Sequence, residues 1–243
     1  MNFKKLSVLM PMYNEELYAA ANILETDAYL RKLNIKYEII VMDDGSKDRT
    51  FRKASKAAQK HIKIYRLKVN EGKGQALKEA FRKSDGDLIM FLDGDLDIHP
   101  KQFEALFKEM NEKNADVVIG SKRHPLSVLN YPKNRRIMSS VYFFIVKLLF
   151  GLPLRDTQTG IKLFRREALS RTFHKVLIKR YAFDLELLVL CNYYGFKITE
   201  APVVVDYKGK FGHIKPSTVF NMLWDTLTVF YRLKILKYYD KIS

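Results

Sequence analysis

The sequence predicts an α/β domain, an open and mostly parallel twisted sheet with helices on both faces. Three observations carry that expectation. Short apolar runs alternate with segments of helical spacing, 243 residues suffice for one large domain, and acidic and glycine-rich clusters recur where the apolar runs end. In an open parallel sheet those ends are where ligands bind. Composition agrees: 47% hydrophobic and 29% charged residues, with only 11 Gly and 7 Pro, describe a folded globular chain. A single cysteine excludes a disulfide framework or a multi-cysteine metal site, and Cys191, in an apolar run, reads as a small buried hydrophobe.

The first strand is Leu6 to Met12. Lys4 and Lys5 ahead of it imitate the start of a signal peptide, but the run is short and breaks at Pro11, Asn14, Glu15 and Glu16. Helical spacing then covers about 16–33, 48–60, 73–84 and 100–113, separated by strand-like runs at Tyr37–Met42, Ile62–Leu67, Leu88–Leu92 and Val117–Ile119. After about residue 121 the rhythm changes, and Ser121–Asn134 reads as a loop. Ile137–Leu154 is nearly all apolar and almost long enough to cross a bilayer core. Lys147 in its middle would cost roughly 2.5 to 3.5 kcal/mol there, and Gly151 and Pro153 close it, so it reads as a surface-seeking or core-packed helix. The tail, Ser217–Tyr239, sets Phe220, Trp224, Leu227 and Tyr231 among Arg232, Lys234 and Lys237. That pattern fits a helix docked on its own domain or a basic amphipathic helix lying on a membrane.

Charge is unevenly spread. The net is +16, of which +4 falls in residues 1–130 and +10 in residues 131–180 alone. Such an excess points to an anionic partner: nucleic acid, an acidic membrane surface or a phosphorylated substrate. Nucleic acid is disfavoured, because no aromatic-basic interleaving or recognition motif accompanies the charge.

The sharpest local feature is Asp93-Gly94-Asp95-Leu96-Asp97, at the end of the run Leu88–Leu92. Carboxylates crowded at a strand end repel one another unless a cation joins them, and hard oxygen ligands suit Mg²⁺ or Mn²⁺ that also grips a diphosphate. A calcium EF-hand loop is the competing pattern, but Ile98 stands where its glycine belongs and a strand, not a helix, comes before it. Other strand ends carry Pro11-Met12-Tyr13-Asn14-Glu15, Asp43-Asp44-Gly45-Ser46, and Asn70-Glu71-Gly72-Lys73-Gly74. The last is a natural anion cradle at a helix start, and it lacks the features of a Walker A loop.

In this order, these motifs resemble the family 2 glycosyltransferases of GT-A fold, over about residues 6–205. Asp156-Thr157-Gln158-Thr159-Gly160-Ile161-Lys162 and Phe183-Asp184-Leu185-Glu186 narrow the resemblance to the branch making dolichyl- or polyprenyl-phosphate mannose and glucose. It implies a catalytic domain over 1–216, divided into a nucleotide-sugar half at 1–121 and an acceptor half at 122–216, with an amphipathic helix over 217–243. It also implies an inverting, metal-dependent hexosyl transfer from UDP-glucose or GDP-mannose to a lipid phosphate. The enzyme would sit at the cytoplasmic face of a membrane, peripherally attached to an anionic surface.

Carried over by residue, the nucleotide sugar falls to Pro11, Tyr13, Asn14, Glu15, Asp44, Ser46, Gly72, Lys73, Asp93, Gly94 and Asp95. The metal, Mg²⁺ or Mn²⁺, falls to Asp93, Asp95 and Asp97, and the catalytic set is Asp93, Asp95 and Asp184. Asp97 replaces a Gln usual in the mannose-transferring branch, which bears on the donor sugar. An acceptor phosphate, mostly ionised because its second pKa is about 6, needs cations more than a base. Lys122, Arg123, Arg135 and Arg136 are the candidates, with Ser139 one helical turn from Arg135, and Lys210 in a loop with Lys208 and Lys215. The alternative is a saccharide or protein hydroxyl as acceptor, for which Asp184 or Glu186 would have to serve as general base. Two residues apart on a helix, those carboxylates do not face together.

Overall fold

The computed structural model describes residues 3–130, 133–206 and 216–241; the side chains of 133–138 and 216 fall outside that description. Seven strands form the main sheet: β1 (Leu6–Met12), β2 (Tyr37–Asp43), β3 (Ile62–Arg66), β4 (Leu88–Phe91), β5 (Val117–Ser121), β7 (Lys162–Arg165) and β8 (Ile198–Pro202). Their spatial order is β3-β2-β1-β4-β7-β5-β8. The β1–β2, β1–β4, β2–β3 and β5–β8 pairs are parallel, while β7 runs antiparallel to both its neighbours, β4 and β5. β6 (Val128–Asn130) and β9 (Val204–Asp206) form a separate two-stranded parallel sheet.

Central strands are apolar on both sides because both faces are covered. Val8 and Met10 of β1 point to one layer with Ile23 and Leu30 of α1 (Ala19–Lys32), Ala54 of α2 (Thr50–Ala54), and Phe103 and Phe107 of α4 (Phe103–Lys113). Leu9, between them, points to the opposite layer. There it meets Ala76 and Leu77 of α3 (Lys73–Arg82), Leu169 of α6 (Arg166–Thr172), Leu185 and Leu188 of α7 (Phe183–Tyr193), and Val146 of α5 (Lys133–Phe150).

Several boundaries differ from the sequence expectation. The stretch read as a loop over 121–134 contains β6, which gains its partner only from β9, far along the chain. Helix 48–60 contracts to α2 and a 3₁₀ turn at Ser55–Ala57. The apolar helix begins at Lys133 rather than Ile137 and stops at Gly151, whose φ of +60° makes the left-handed turn that ends helices. α8 (Pro216–Phe230) continues as a π-helical turn at Tyr231–Ile235 and a 3₁₀ turn at Tyr238–Asp240, which seats Tyr239 in the core. α5 and α8 pack together through the Phe150 and Phe230 rings, 6.1 Å apart, and a 3.1 Å hydrogen bond between the Tyr142 hydroxyl and Thr226 Oγ1. Val141, Phe144 and Leu148 of α5 and Phe220, Trp224 and Leu227 of α8 remain exposed. Among the described residues no helix is long and apolar enough to cross a membrane.

Candidate active site

Segments leaving β1 and β2 are stitched together by short polar side chains. The Asn14 backbone, at φ +57°, donates its N–H to Ser46 Oγ at 3.0 Å, and Asn14 Oδ1 accepts the Lys47 N–H at 3.0 Å. Asp43 accepts from the Ser46 hydroxyl and lies 3.0 Å from Arg66 Nε. Asp44 is buried, and both its oxygens are used on the next loop: they accept the N–H groups of Glu71 and Gly72 at 2.8 Å and the Asn70 amide at 3.0 Å. Burial raises its pKa despite those hydrogen bonds. Asp44 therefore shapes the Gly72 loop instead of standing open in the cleft. Tyr13 is exposed, and Pro11 and Glu15 are half-buried beside it.

Beyond β4, Gly94 lies under Met12, where a Cβ would stand 2.6 Å from Met12 Cγ. Asp93, Asp95, Asp97 and Glu15 share one electrostatic neighbourhood. Loss of water around its carboxyl, then repulsion from Asp93, Asp97 and Glu15, raises the pKa of Asp95 to about 7. Burial, followed by Asp48, Asp97 and Asp93, raises Glu15. By donor chemistry this set fits a hard divalent cation. Among the described residues no three such side chains are gathered to hold an ion.

Lys73 opens α3 with its Nζ 2.6 Å from Asp93 Oδ1 and 4.0 Å from Asp184 Oδ2. Asp184, in the first turn of α7, accepts from Lys162 Nζ at 2.7 Å on its other oxygen. Burial would raise Asp184, but Lys162 and Lys73 outweigh it and hold the carboxyl below its ordinary range. Glu186 faces the other way, accepting the N–H groups of Leu177 at 2.9 Å and Ile178 at 2.7 Å and the Tyr239 hydroxyl. The two carboxylates are apart, as their spacing required.

Three residues that the sequence offered only as part of a family motif, with no role attached, take part in the site. A Cβ on Gly160 would lie 2.1 Å from Asp93 Oδ2, so only glycine leaves that carboxylate its place. Asp156 ties the turn before β7 to the end of β5, accepting the N–H of Lys122 at 3.1 Å, the N–H of Gln158 at 2.9 Å and the Thr159 hydroxyl at 2.6 Å. Lys162 sits in a central strand. A charge in the apolar run Ile161–Phe164 was the one local sign of it.

A cavity of about 560 Å³ lies beside this turn. Its polar lining includes the cations Lys122, Arg123 and Arg155 and the carboxylates Asp97 and Asp156, with Ser139, and its apolar lining includes Tyr142, Val146, Leu154, Met222 and Leu223. The Arg123 guanidinium lies 4.9 Å from the centre of the Phe143 ring and donates to Ser140 Oγ at 2.8 Å. Arg135 and Arg136 fall on the first turn of α5 with side chains outside the described residues, and Lys210 lies wholly outside them. Among the described residues, the basic side chains of 131–180 take several different partners. Arg165 pairs with Asp116, Arg166 lies over Phe81, Arg171 over Tyr194 and Phe196, and Lys179 pairs with Glu71. Of the basic residues in that segment with described side chains, only Arg155 lines the cavity.

A model of the family described as Glycosyl transferase family 2 matches residues 7–173. Dolichyl-phosphate beta-glucosyltransferase of Homo sapiens is 35% identical over 216 residues, covering 82% of this chain and 67% of that protein. The protein of the same name in Dictyostelium discoideum is 32% identical over 213 residues, covering 82% and 65%. The chain thus spans about two thirds of the length of these relatives. Among solved structures, glucosyl-3-phosphoglycerate synthase from Mycobacterium tuberculosis, in complex with Mn²⁺, uridine diphosphate and glucosyl-3-phosphoglycerate, superposes with a TM-score of 0.70 at 19% identity, covering 93% of this chain and 80% of that one. That likeness speaks for the fold.

Proposed function

The chain belongs to glycosyl transferase family 2, and from that premise we propose that it transfers glucose from a nucleotide sugar to dolichyl or polyprenyl phosphate, with inversion, at the cytoplasmic face of a membrane it touches peripherally. The observation that carries this reading is the cavity beside the carboxylate cluster, which joins the cations Lys122, Arg123 and Arg155 to apolar walls from α5 and α8. A phosphate on a long isoprenoid has that mixed character. UDP-glucose is favoured over GDP-mannose, because the relatives are named glucosyltransferases and the structural neighbour holds uridine diphosphate.

In the proposed reaction an acceptor phosphate oxygen attacks the anomeric carbon while the bond from that carbon to the diphosphate breaks on the opposite side. The electron pair leaves with the nucleoside diphosphate. Lys73, beside Asp93, is the cation assigned to the charge that grows there. A divalent ion, when bound by Asp95 with Asp93 or Asp97, would neutralise part of the same charge. No residue needs to take a proton from an ionised phosphate. Asp184 agrees with that, since a carboxylate held between two lysines is a poor base. This observation favours the phosphate acceptor over a sugar or protein hydroxyl.

The test is incubation of the protein with Mg²⁺ or Mn²⁺, labelled UDP-glucose or GDP-mannose, and dolichyl phosphate. An acid-labile glucolipid is expected from UDP-glucose, and EDTA should abolish it. Absence of glycolipid with either donor sinks the proposal.

A further inference from the structure

β7 enters the sheet antiparallel between β4 and β5, and its first residue is a lysine. Lys162 is paired with Phe91 on one side and Ile119 on the other, and is 1% exposed. Burying an ammonium there is costly, and an apolar residue of similar size often serves stability as well or better. Something other than packing accounts for a charge in the middle of the sheet.

Its partners show what. Lys162 Nζ donates to the Thr159 carbonyl and, at 2.7 Å, to Asp184 Oδ1. The other oxygen of Asp184 is 4.0 Å from Lys73 Nζ, which is 2.6 Å from Asp93. Four charges of alternating sign therefore run outward from the sheet interior. Their side-chain exposures rise from 1% and 8% at Lys162 and Asp184 to 32% and 38% at Lys73 and Asp93. The inner pair is fixed by burial, and the outer pair reaches the cleft.

We propose that Lys162 is a positioning residue: by occupying Asp184 it keeps Lys73 forward in the cleft, where the lysine meets the terminal phosphate of the nucleoside diphosphate. Asp184 divides its charge between two ammoniums and leaves Lys73 closer to Asp93. Without Lys162, Asp184 would be a buried carboxylate with one cation in reach, and it would draw Lys73 inward. This inference rests on the reading of the cleft as a nucleotide-diphosphate site.

Calorimetric titration of UDP and UMP into four proteins tests it: wild type, Lys162→Met, Asp184→Asn, and the double variant. Lys162→Met should bind UDP at least about tenfold more weakly, the scale of one charged hydrogen bond, while UMP, which lacks the second phosphate, changes by less than about threefold. Adding Asp184→Asn removes the buried anion that pulls Lys73 back, so the double variant should match Asp184→Asn within about threefold for UDP. Should Lys162→Met alone fail to fold, the double variant, which buries no unpaired charge, carries the comparison. Equal weakening of UDP and UMP overturns the inference. So does a folded Lys162→Met with wild-type UDP affinity, or a double variant more than about tenfold weaker than Asp184→Asn. If the wild type binds neither UDP nor GDP, the donor reading fails and takes this inference with it; UDP binding indifferent to Lys162 overturns the inference alone.

Discussion

Gly160 has no room for a methyl group, because the space a Cβ would take is occupied by Asp93 Oδ2. Gly160→Ala must displace the Asp93 carboxylate from the place where it meets Lys73. We expect turnover of the nucleotide sugar to fall about a hundredfold, the usual consequence of misplacing a reacting group by about an ångström. The thermal midpoint should move by only a few degrees, since the displaced carboxylate is partly exposed. Steady-state rates beside a melting curve check this, and full activity would show that Asp93 tolerates the shift. At this scale the sequence is legible only where the chemistry is local. Asp93, Asp95 and Lys73 announce themselves by their neighbours along the chain, but the close approach of Gly160 to Asp93 joins two distant segments. Asp44 is a like case: nothing beside it in the sequence reveals that the N–H groups of Glu71 and Gly72 occupy its oxygens.

Among the elements, α7 has two working faces. Asp184 turns toward Lys73 and Lys162, while Glu186 turns to the chain's last described turn through the Tyr239 hydroxyl and to the strand of backbone at Leu177 and Ile178. The segment that follows Ile178 is joined to the Gly72 loop by a 2.9 Å hydrogen bond from the Gly74 N–H to the Lys179 carbonyl. Tyr239→Phe removes one donor from a fully buried carboxylate and leaves Arg232, at 3.5 Å, as its side-chain partner. Stability should drop by about 1 to 3 kcal/mol, measured by urea denaturation. An unchanged midpoint would mean that the tail is not anchored through Glu186. The helices and parallel strands of the first half were readable from apolar period and spacing, because each is nearly continuous in sequence. β6, β7, β8 and β9 were not: each is short, and β7 carries a charge. Such strands exist because neighbours supply their hydrogen bonds, and those neighbours lie far away along the chain.

For the molecule as a whole, α5 and α8 pair through Tyr142, Thr226, Phe150 and Phe230 and leave a shared apolar surface of Val141, Phe144, Leu148, Phe220, Trp224 and Leu227. The same helices wall the cavity proposed for the lipid, so a bilayer against that surface would lie beside the acceptor entrance. Trp224 is the chain's one tryptophan and is 63% exposed, so tryptophan emission, excited selectively over the tyrosines, reports on this surface. Adding vesicles containing anionic lipid at low salt should shift the emission to shorter wavelength, and Leu227→Glu should weaken vesicle co-sedimentation about tenfold, near the cost of moving a charge into the interface. Emission that stays put would detach α8 from the membrane. By itself the sequence determined the alternating architecture, the order of motifs on strand ends and the family they resemble, because apolar runs, helical patterns and strand-end clusters are written in consecutive residues. Only the tertiary structure decided that Lys162 reaches Asp184, that Gly160 makes way for Asp93, and that, of the basic residues of 131–180 with described side chains, Arg155 is the one at the cavity. Burial and charge pairing depend on distances between segments that meet only when the sheet closes around β7.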